Sequence, residues 1–322
     1  MLGFPFHSNY VWAMNEKRKQ RGEYLSWKKG YYHLSTDGWQ EGRLFHTASQ
    51  YAYGMILIGL LTLLFPVEIY EFSLMPNHIH IVLSGTGAAI VAAFDYLKKK
   101  VNIMLRKDGY PPLPKDYWFK LTPIETEEQM RINILYVARN PYEKQFSVPG
   151  GYPWGSAWLH HSPLGKMVKG TRADAVSKRE LERLCGTRTP IPPHWEFHPR
   201  LGLLPLSFVN EKLFYKLFPS PKKYETRLIK EYEAFVKLGK DLNEDVEFSR
   251  EEILDILSQV LRDSFSGKRF KDLSGEESGR LCQQLNERFC LSAEQIASAI
   301  GIQEYVVRQL LNSKEFGKRH IF

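Results

Sequence analysis

The chain has 322 residues, 43% of them hydrophobic and 25% charged, with a formal net charge of +8. This is the composition of a globular protein with an ample core and room for two domains, not of a disordered or fibrous chain. Three cysteines, Cys185, Cys282 and Cys290, make no disulfide framework and no metal-ligand pattern, which fits a reducing cytoplasm, and the excess of Lys and Arg suits a polyanionic partner without naming one.

Residues 1–27 read as an N-terminal extension, and they lack the long apolar core of a secretory leader. "KGYYHLST" is a first strand, followed by a loop through "DGWQEG". A helix is expected from about Thr47 to Leu64. It holds most of the longest apolar run, Met55 to Phe65, whose 11 residues fall short of the roughly 20 that span a bilayer. We therefore expect a buried amphipathic helix packed on a sheet, and no membrane.

The next stretch, "PVEIYEFSLMPNHIHIVLSG", is rich in β-branched and aromatic residues, with a local break at Pro76-Asn77. Along a strand His78, His80 and Val82 share one face, and Ile79, Ile81 and Leu83 share the other. Two imidazoles then project together, about 6–7 Å apart at the backbone. Such a pair serves as metal ligands or as hydrogen-bonded core residues. A zinc hydrolase would need a further Asp or His just downstream, and "IHIVLSGTGAA" offers none.

A helix over "IVAAFDYLKKKVNIMLRK" places Phe94, Leu97, Val101 and Leu105 at helical spacing. Lys98, Lys99, Lys100, Arg106 and Lys107 lie away from that stripe, as a solvated face or as contacts to a phosphate backbone. After the Pro-rich break "GYPPLPKDYW", Thr126 and Gln129 have the spacing of a capping box. The helix they open should stop at Pro141, which cannot continue it. On it Asn133, Tyr136 and Asn140 fall on one side, so Tyr136 and Asn140 have Cβ atoms within about 5–6 Å. An Asn carbonyl is an acceptable ligand for a hard divalent cation, and a phenol beside one can attack phosphorus. The plainer alternative is a buried tyrosine near a helix-terminal Asn. "YPWGSAW" reads as an ordered aromatic turn.

Residues 163–245 read as a basic linker with short helices. They show no catalytic constellation, since His194 and His198 flank Trp195 without partners at a diagnostic spacing. Residues 246–322 are helical. Ser292 and Gln295 form a candidate capping box, Gly301 falls where a tight turn belongs, and a second helix follows from about Gln303 to Asn312. Two short helices so joined fit a helix-turn-helix, with Arg308 as a candidate DNA contact.

"MPNHIHIVL", then "YVARNP" about sixty residues on, then "YPWGSAW", together resemble the single-tyrosine HUH transposases, in the branch of REP-associated tyrosine transposases. The resemblance covers about residues 28–162. Val137 stands where Ile is commoner, Tyr142 where a small aliphatic residue is frequent, and Gly155 where Ser is common. The resemblance implies an α+β fold of the HUH endonuclease, ferredoxin- or RRM-like kind: an antiparallel sheet flanked by helices over 28–162, here followed by an α-helical C-terminal region. It implies a metal-dependent endonuclease and strand transferase acting on single-stranded or hairpin DNA. His78, His80 and Asn140 would hold Mg²⁺ or Mn²⁺, which would polarise the scissile phosphate. Tyr136 would be the nucleophile, leaving a 5′-phosphotyrosine. A homodimer is a possible assembly. Two rival readings are a DNA-hairpin-binding protein that no longer cuts and a metal phosphodiesterase whose nucleophile is water.

Overall fold

The computed structural model describes residues 6–36, 42–143 and 151–312, and the chain divides into two compact units, Met1–Leu228 and Ile229–Phe322. The expected boundaries at 27/28, 162/163 and 245/246 do not coincide with these units. The stretch read as a linker is split between them, because its first part supplies side chains to the core of the first unit.

The first unit opens with α1 (Phe6–Leu25), which packs on α3 (Gly87–Lys107). Strands β1 (Gly30–Thr36), β2 (Glu68–Leu74), β3 (Ile79–Gly85) and β4 (Phe119–Ile124) form one sheet in the order β2-β3-β1-β4, with every neighbouring pair antiparallel. Helix α2 (Ala48–Leu64) links β1 to β2, and α4 (Glu127–Glu143) follows β4. A small second sheet comprises β5 (Thr171–Arg172), β6 (Glu196–His198) and β7 (Gly202–Leu203). Around it lie the short helices α5 (Pro163–Met167), α6 (Lys178–Cys185) and α7 (Glu211–Leu217), and α8 (Pro221–Lys230) ends in the second unit.

The main sheet has two unlike faces. Leu34, Ile79, Ile81, Leu83, Ile69, Phe72, Leu74, Phe119 and Leu121 join α2 and α3 in the principal core. The other face carries His33, Ser35, His80, Val82, Glu71 and Ser73, all buried, and α4 packs against β2 and β3. Alternation along the strands sorts the two sets, and the register keeps each set on its own side.

Helix α2 begins at Thr47, whose hydroxyl accepts from the Gln50 amide. It is apolar on more than one side, not amphipathic as expected. Residues Met55–Leu61 are all buried because β7 and α6 cover the flank that the main sheet leaves open. A helix apolar all round is a helix covered all round. Among the described residues no helix is long and apolar enough to cross a membrane.

The stretch expected as one strand with a break is a hairpin of two. Leu74 pairs with Ile79, and the Met75 amide donates to the His78 carbonyl at 2.9 Å across the turn. His78 therefore sits in the turn, just before β3. Helix α4 also runs past Pro141 to Glu143. A proline this close to the helix end costs one backbone bond, to the Val137 carbonyl, and little else. Most of the expected loop through "DGWQEG" (37–41) lies outside the described residues.

The second unit contains α9 (Tyr232–Leu242), α10 (Arg250–Ser264), α11 (Gly275–Phe289), α12 (Ala293–Ile300) and α13 (Glu304–Asn312). Its core is built from Ile253, Ile256, Val260, Leu281, Leu285, Phe289, Ile296 and Val307 among others. Three of these helices start with complete capping boxes, at Ser249/Glu252, Ser274/Glu277 and Ser292/Gln295.

Candidate active site

The β2–β3 hairpin, β1 and α4 bring the sequence-selected residues together. Thr126 and Gln129 form the expected reciprocal cap, at 3.1 Å in both directions, and this sets where α4 begins. Asn133, Tyr136 and Asn140 then face the polar side of the sheet. The Tyr136 ring stands edge-on to His80, with centroids 5.8 Å apart, and to His33, at 6.2 Å. The His78 and His80 rings are perpendicular, with centroids 4.9 Å apart. The Asn140 amide oxygen lies 3.3 Å from His78 Nε2.

A chain of hydrogen bonds fixes the orientation of His80. The Asn133 amide nitrogen donates to the Gln129 carbonyl at 2.7 Å, which turns its oxygen toward His33 Nδ1, also at 2.7 Å. His33 Nδ1–H is thus the donor, and His33 Nε2 accepts from His80 Nδ1–H at 3.0 Å. The tautomer of one ring sets that of the next. Burial disfavours the charged form, pushing His33 down to about 4 and His80 well below the usual histidine range; for His80 the neighbouring His78 and His33 add to the effect. Both rings are neutral at pH 7, the state in which imidazole binds a cation.

His78 poses a counting problem. Its Nδ1 lies 2.8 Å from the Asn77 amide oxygen and its Nε2 3.3 Å from that of Asn140. A neutral imidazole carries one N–H and satisfies one of these. With the proton on the shorter contact, Nε2 and the Asn140 oxygen are two acceptors facing each other. A shared divalent cation, a second proton on the ring, or an Asn140 amide turned over so that its N–H donates to Nε2 resolves the contact. The donor set of two imidazoles and an amide oxygen therefore fits a divalent cation. Among the described residues no group of three or more His, Cys, Asp and Glu has the geometry of a metal centre, so the set depends on its amide member.

Tyr136 is 2% exposed. Tyr142, the nearest competing phenol, is on the same helix but partly exposed. It falls six residues on, about 120° away around the helix.

"YPWGSAW" is the ordered segment that the sequence suggests, and it closes the β2 edge. The Leu74 amide donates to the Trp154 carbonyl at 2.8 Å and the Ser156 amide to the Phe72 carbonyl at 3.1 Å. A Cβ on Gly155 would lie 2.7 Å from the Phe72 carbonyl oxygen, so a serine here would push the segment off the strand. The buried Ser156 hydroxyl donates to the Glu71 carboxylate and accepts from the Phe72 amide at 2.9 Å, and His160 Nε2 is 3.4 Å from the same carboxylate.

The basic candidates on α3 lie elsewhere in the first unit. Helix α3 packs on the opposite face of the sheet. Lys98 donates to the carbonyls of Lys115 and Tyr117, and Lys100 to that of Gly186. Lys99, Arg106 and Lys107 are exposed. Arg308 is exposed on α13, with Nε 2.8 Å from Glu304 Oε1. Sequence reasoning missed His33. Its signal was the polar member in mid-strand of "KGYYHLST", where Tyr32 and Leu34 claim the core face.

No family model and no curated protein matches the chain. One solved structure that it resembles is a REP-associated tyrosine transposase bound to a REP hairpin, at 17% identity and a TM-score of 0.33, over 40% of this chain and 78% of that one.

Proposed function

We propose that the chain is a metal-dependent single-stranded DNA endonuclease and strand transferase acting on hairpin-associated DNA, with Tyr136 as the nucleophile. The observation that carries this reading is the convergence of His78, His80 and Asn140 beside the Tyr136 ring on the polar face of one sheet. In it, the Tyr136 phenol oxygen bonds to phosphorus and the bond from phosphorus to the 3′ oxygen breaks. The proton lost by the phenol is balanced by the one gained by the released 3′-hydroxyl. One phosphodiester replaces another, so rejoining to a second 3′-hydroxyl needs no nucleotide triphosphate. His78, His80 and Asn140 would hold Mg²⁺ or Mn²⁺, which when bound polarises the scissile phosphate and stabilises its charge. His33 and Asn133 keep the His80 ring turned toward that position.

Burial of Tyr136 favours a second reading, a hairpin-binding protein that does not cut, because a substrate phosphate reaches the phenol only after the site opens. Labelled hairpin DNA with a single-stranded flank, incubated with the chain and Mg²⁺ or Mn²⁺ and run on a denaturing gel, separates the two. Cleavage with a protein–DNA adduct that mass spectrometry places on Tyr136 supports the enzyme. Tyr136→Phe should lower cleavage by at least about 10³-fold while DNA affinity holds. An adduct on Tyr142 overturns the assignment and makes that phenol the nucleophile, whereas cutting undiminished in the Phe variant, with no adduct, overturns it and leaves a water nucleophile. Binding without cutting supports the second reading.

A further inference from the structure

A cleft of about 610 Å³ opens on the first unit between α5 and α7, lined by His161, Ser162, Lys166, Lys169, Glu211 and Tyr215 among others. It is separate from the His78–Tyr136 cluster, but the same segment leads to both. Tyr152 anchors that segment beside the hairpin by donating its hydroxyl to the Leu74 carbonyl at 2.7 Å. Ser156 holds it to β2, and the cleft begins three residues later at Leu159.

Three features of the cleft point to one kind of ligand. Lys166 and Lys169 are exposed, and neither has a carboxylate within 4.0 Å among the described residues. Tyr215 is 44% exposed, whereas Phe214 and Phe218 on either side of it are buried. His161, at φ 54°, occupies the left-handed region that non-glycine residues seldom enter. It is held there by a 2.8 Å hydrogen bond from Nε2 to the Phe218 carbonyl, and its ring meets Tyr215 edge-on at 5.4 Å. Strained residues held by their surroundings cluster at ligand sites. An exposed ring beside two uncommitted ammonium groups is the chemistry that stacks a base and pairs its phosphates. The setting agrees: residues 1–228 contain 30 Lys and Arg against 19 Asp and Glu.

We propose that this cleft is a second subsite for single-stranded DNA, in which a base of the flank stacks on Tyr215 while Lys166 and Lys169 meet the neighbouring phosphates. The proposal rests on the reading of the chain as a nuclease for hairpin-associated strands, and it places the flank along the segment from Tyr152 to Leu159 that covers the β2 edge. A sugar-phosphate strand without a free base would engage only the lysines. An acidic peptide would do the same.

The test measures binding by the intact chain in EDTA, where no cleavage intervenes. The probes are a fluorescein-labelled hairpin with a single-stranded flank of about ten nucleotides and the same hairpin with a blunt end. Tyr215→Ala should weaken binding of the flanked probe five- to hundred-fold and leave the blunt probe unchanged, and Tyr215→Phe, which keeps the ring, should bind both as the parent does. Lys166→Ala with Lys169→Ala should reduce the slope of log affinity against log salt by about 1.4, two phosphate contacts on a single strand. Flanked-probe affinity unaltered in both variants, or an acidic peptide displacing the flank as well as oligonucleotide does, overturns the subsite while the Tyr136 reading stands. A chain that binds neither probe overturns both.

Discussion

The two units are stabilised in opposite ways. The first buries polar and ionisable groups in a layer between sheet and helix: His33, His80, Glu71, Asn133, Arg139, Asn140, Ser156 and His160 are all 5% exposed or less. Such a layer holds only when its members satisfy one another. The second keeps its core almost wholly apolar and puts its polar side chains at helix starts, where three capping boxes close exposed backbone amides. Charge divides the same way. Residues 229–322 contain 14 Lys and Arg against 17 Asp and Glu, so the basic character of the chain belongs to the first unit. A buried polar layer is costly to assemble and is where chemistry is found; a capped helical bundle is inexpensive to fold and leaves its surface to decide its role.

The largest effect that tests this contrast is at His33. His33→Ala removes the group that orients His80, and loss of such an outer partner typically costs 10- to 100-fold in metal affinity or activity. Cleavage rate and Mn²⁺ binding should both fall by that order. Unchanged values would make the histidine chain a packing feature only.

Next comes acid. His33 has a folded-state pKa below its unfolded value, so the unfolded chain takes up the proton first. Its contribution is complete above pH 6.5 and is lost as pH falls toward about 4, on the order of 3 kcal/mol in metal-free chain. The second unit has His320 as its one histidine and should not respond between pH 6.5 and 4.5. Its Glu277 carboxyl, held down to about 2 by the hydrogen bond from Lys268 and by the cap at Ser274, contributes above pH 4.5 and is lost as pH falls to about 2. All seven Trp residues lie in 1–228, so urea unfolding followed by Trp fluorescence reports the first unit and helical circular dichroism reports both. A fluorescence midpoint constant from pH 7 to 4 would contradict the account of the buried layer.

Smaller again are the caps. Ser292→Ala removes an N-cap worth about 1 kcal/mol. Gly301→Ala places a side chain at φ 75°, at a similar cost. Either change should lower the helical midpoint and leave the fluorescence midpoint in place. Smallest should be the electrostatic effect of removing residues 229–322. With its net negative charge this unit should add little to the salt dependence of DNA binding. If α12 and α13 read DNA, affinity falls while the salt slope changes by less than about one. Unchanged affinity favours a protein-contact or purely structural role for the unit.

Much of this was legible in the chain. Thr47, Thr126 and Ser292 mark helix starts because a side-chain oxygen can replace a missing backbone acceptor within three residues, an interaction wholly local in sequence. The spacing of His78 with His80, and of Tyr136 with Asn140, was local within each element, and it was the resemblance of the surrounding motifs that joined the two pairs before their geometry could be drawn. Tertiary structure decided what depended on distant partners. It turned one expected strand into a hairpin, because the turn from Met75 to His78 lets β2 and β3 pair and bury one shared apolar face, and it put His78 in the turn. It recruited His33 across strands, through contacts 47 and 100 residues apart in sequence. It made α2 a covered helix by laying β7 over it, and it carried α4 through Pro141. In each case the local pattern permitted two outcomes, and the choice lay with burial against residues far away in the chain, which no periodicity encodes.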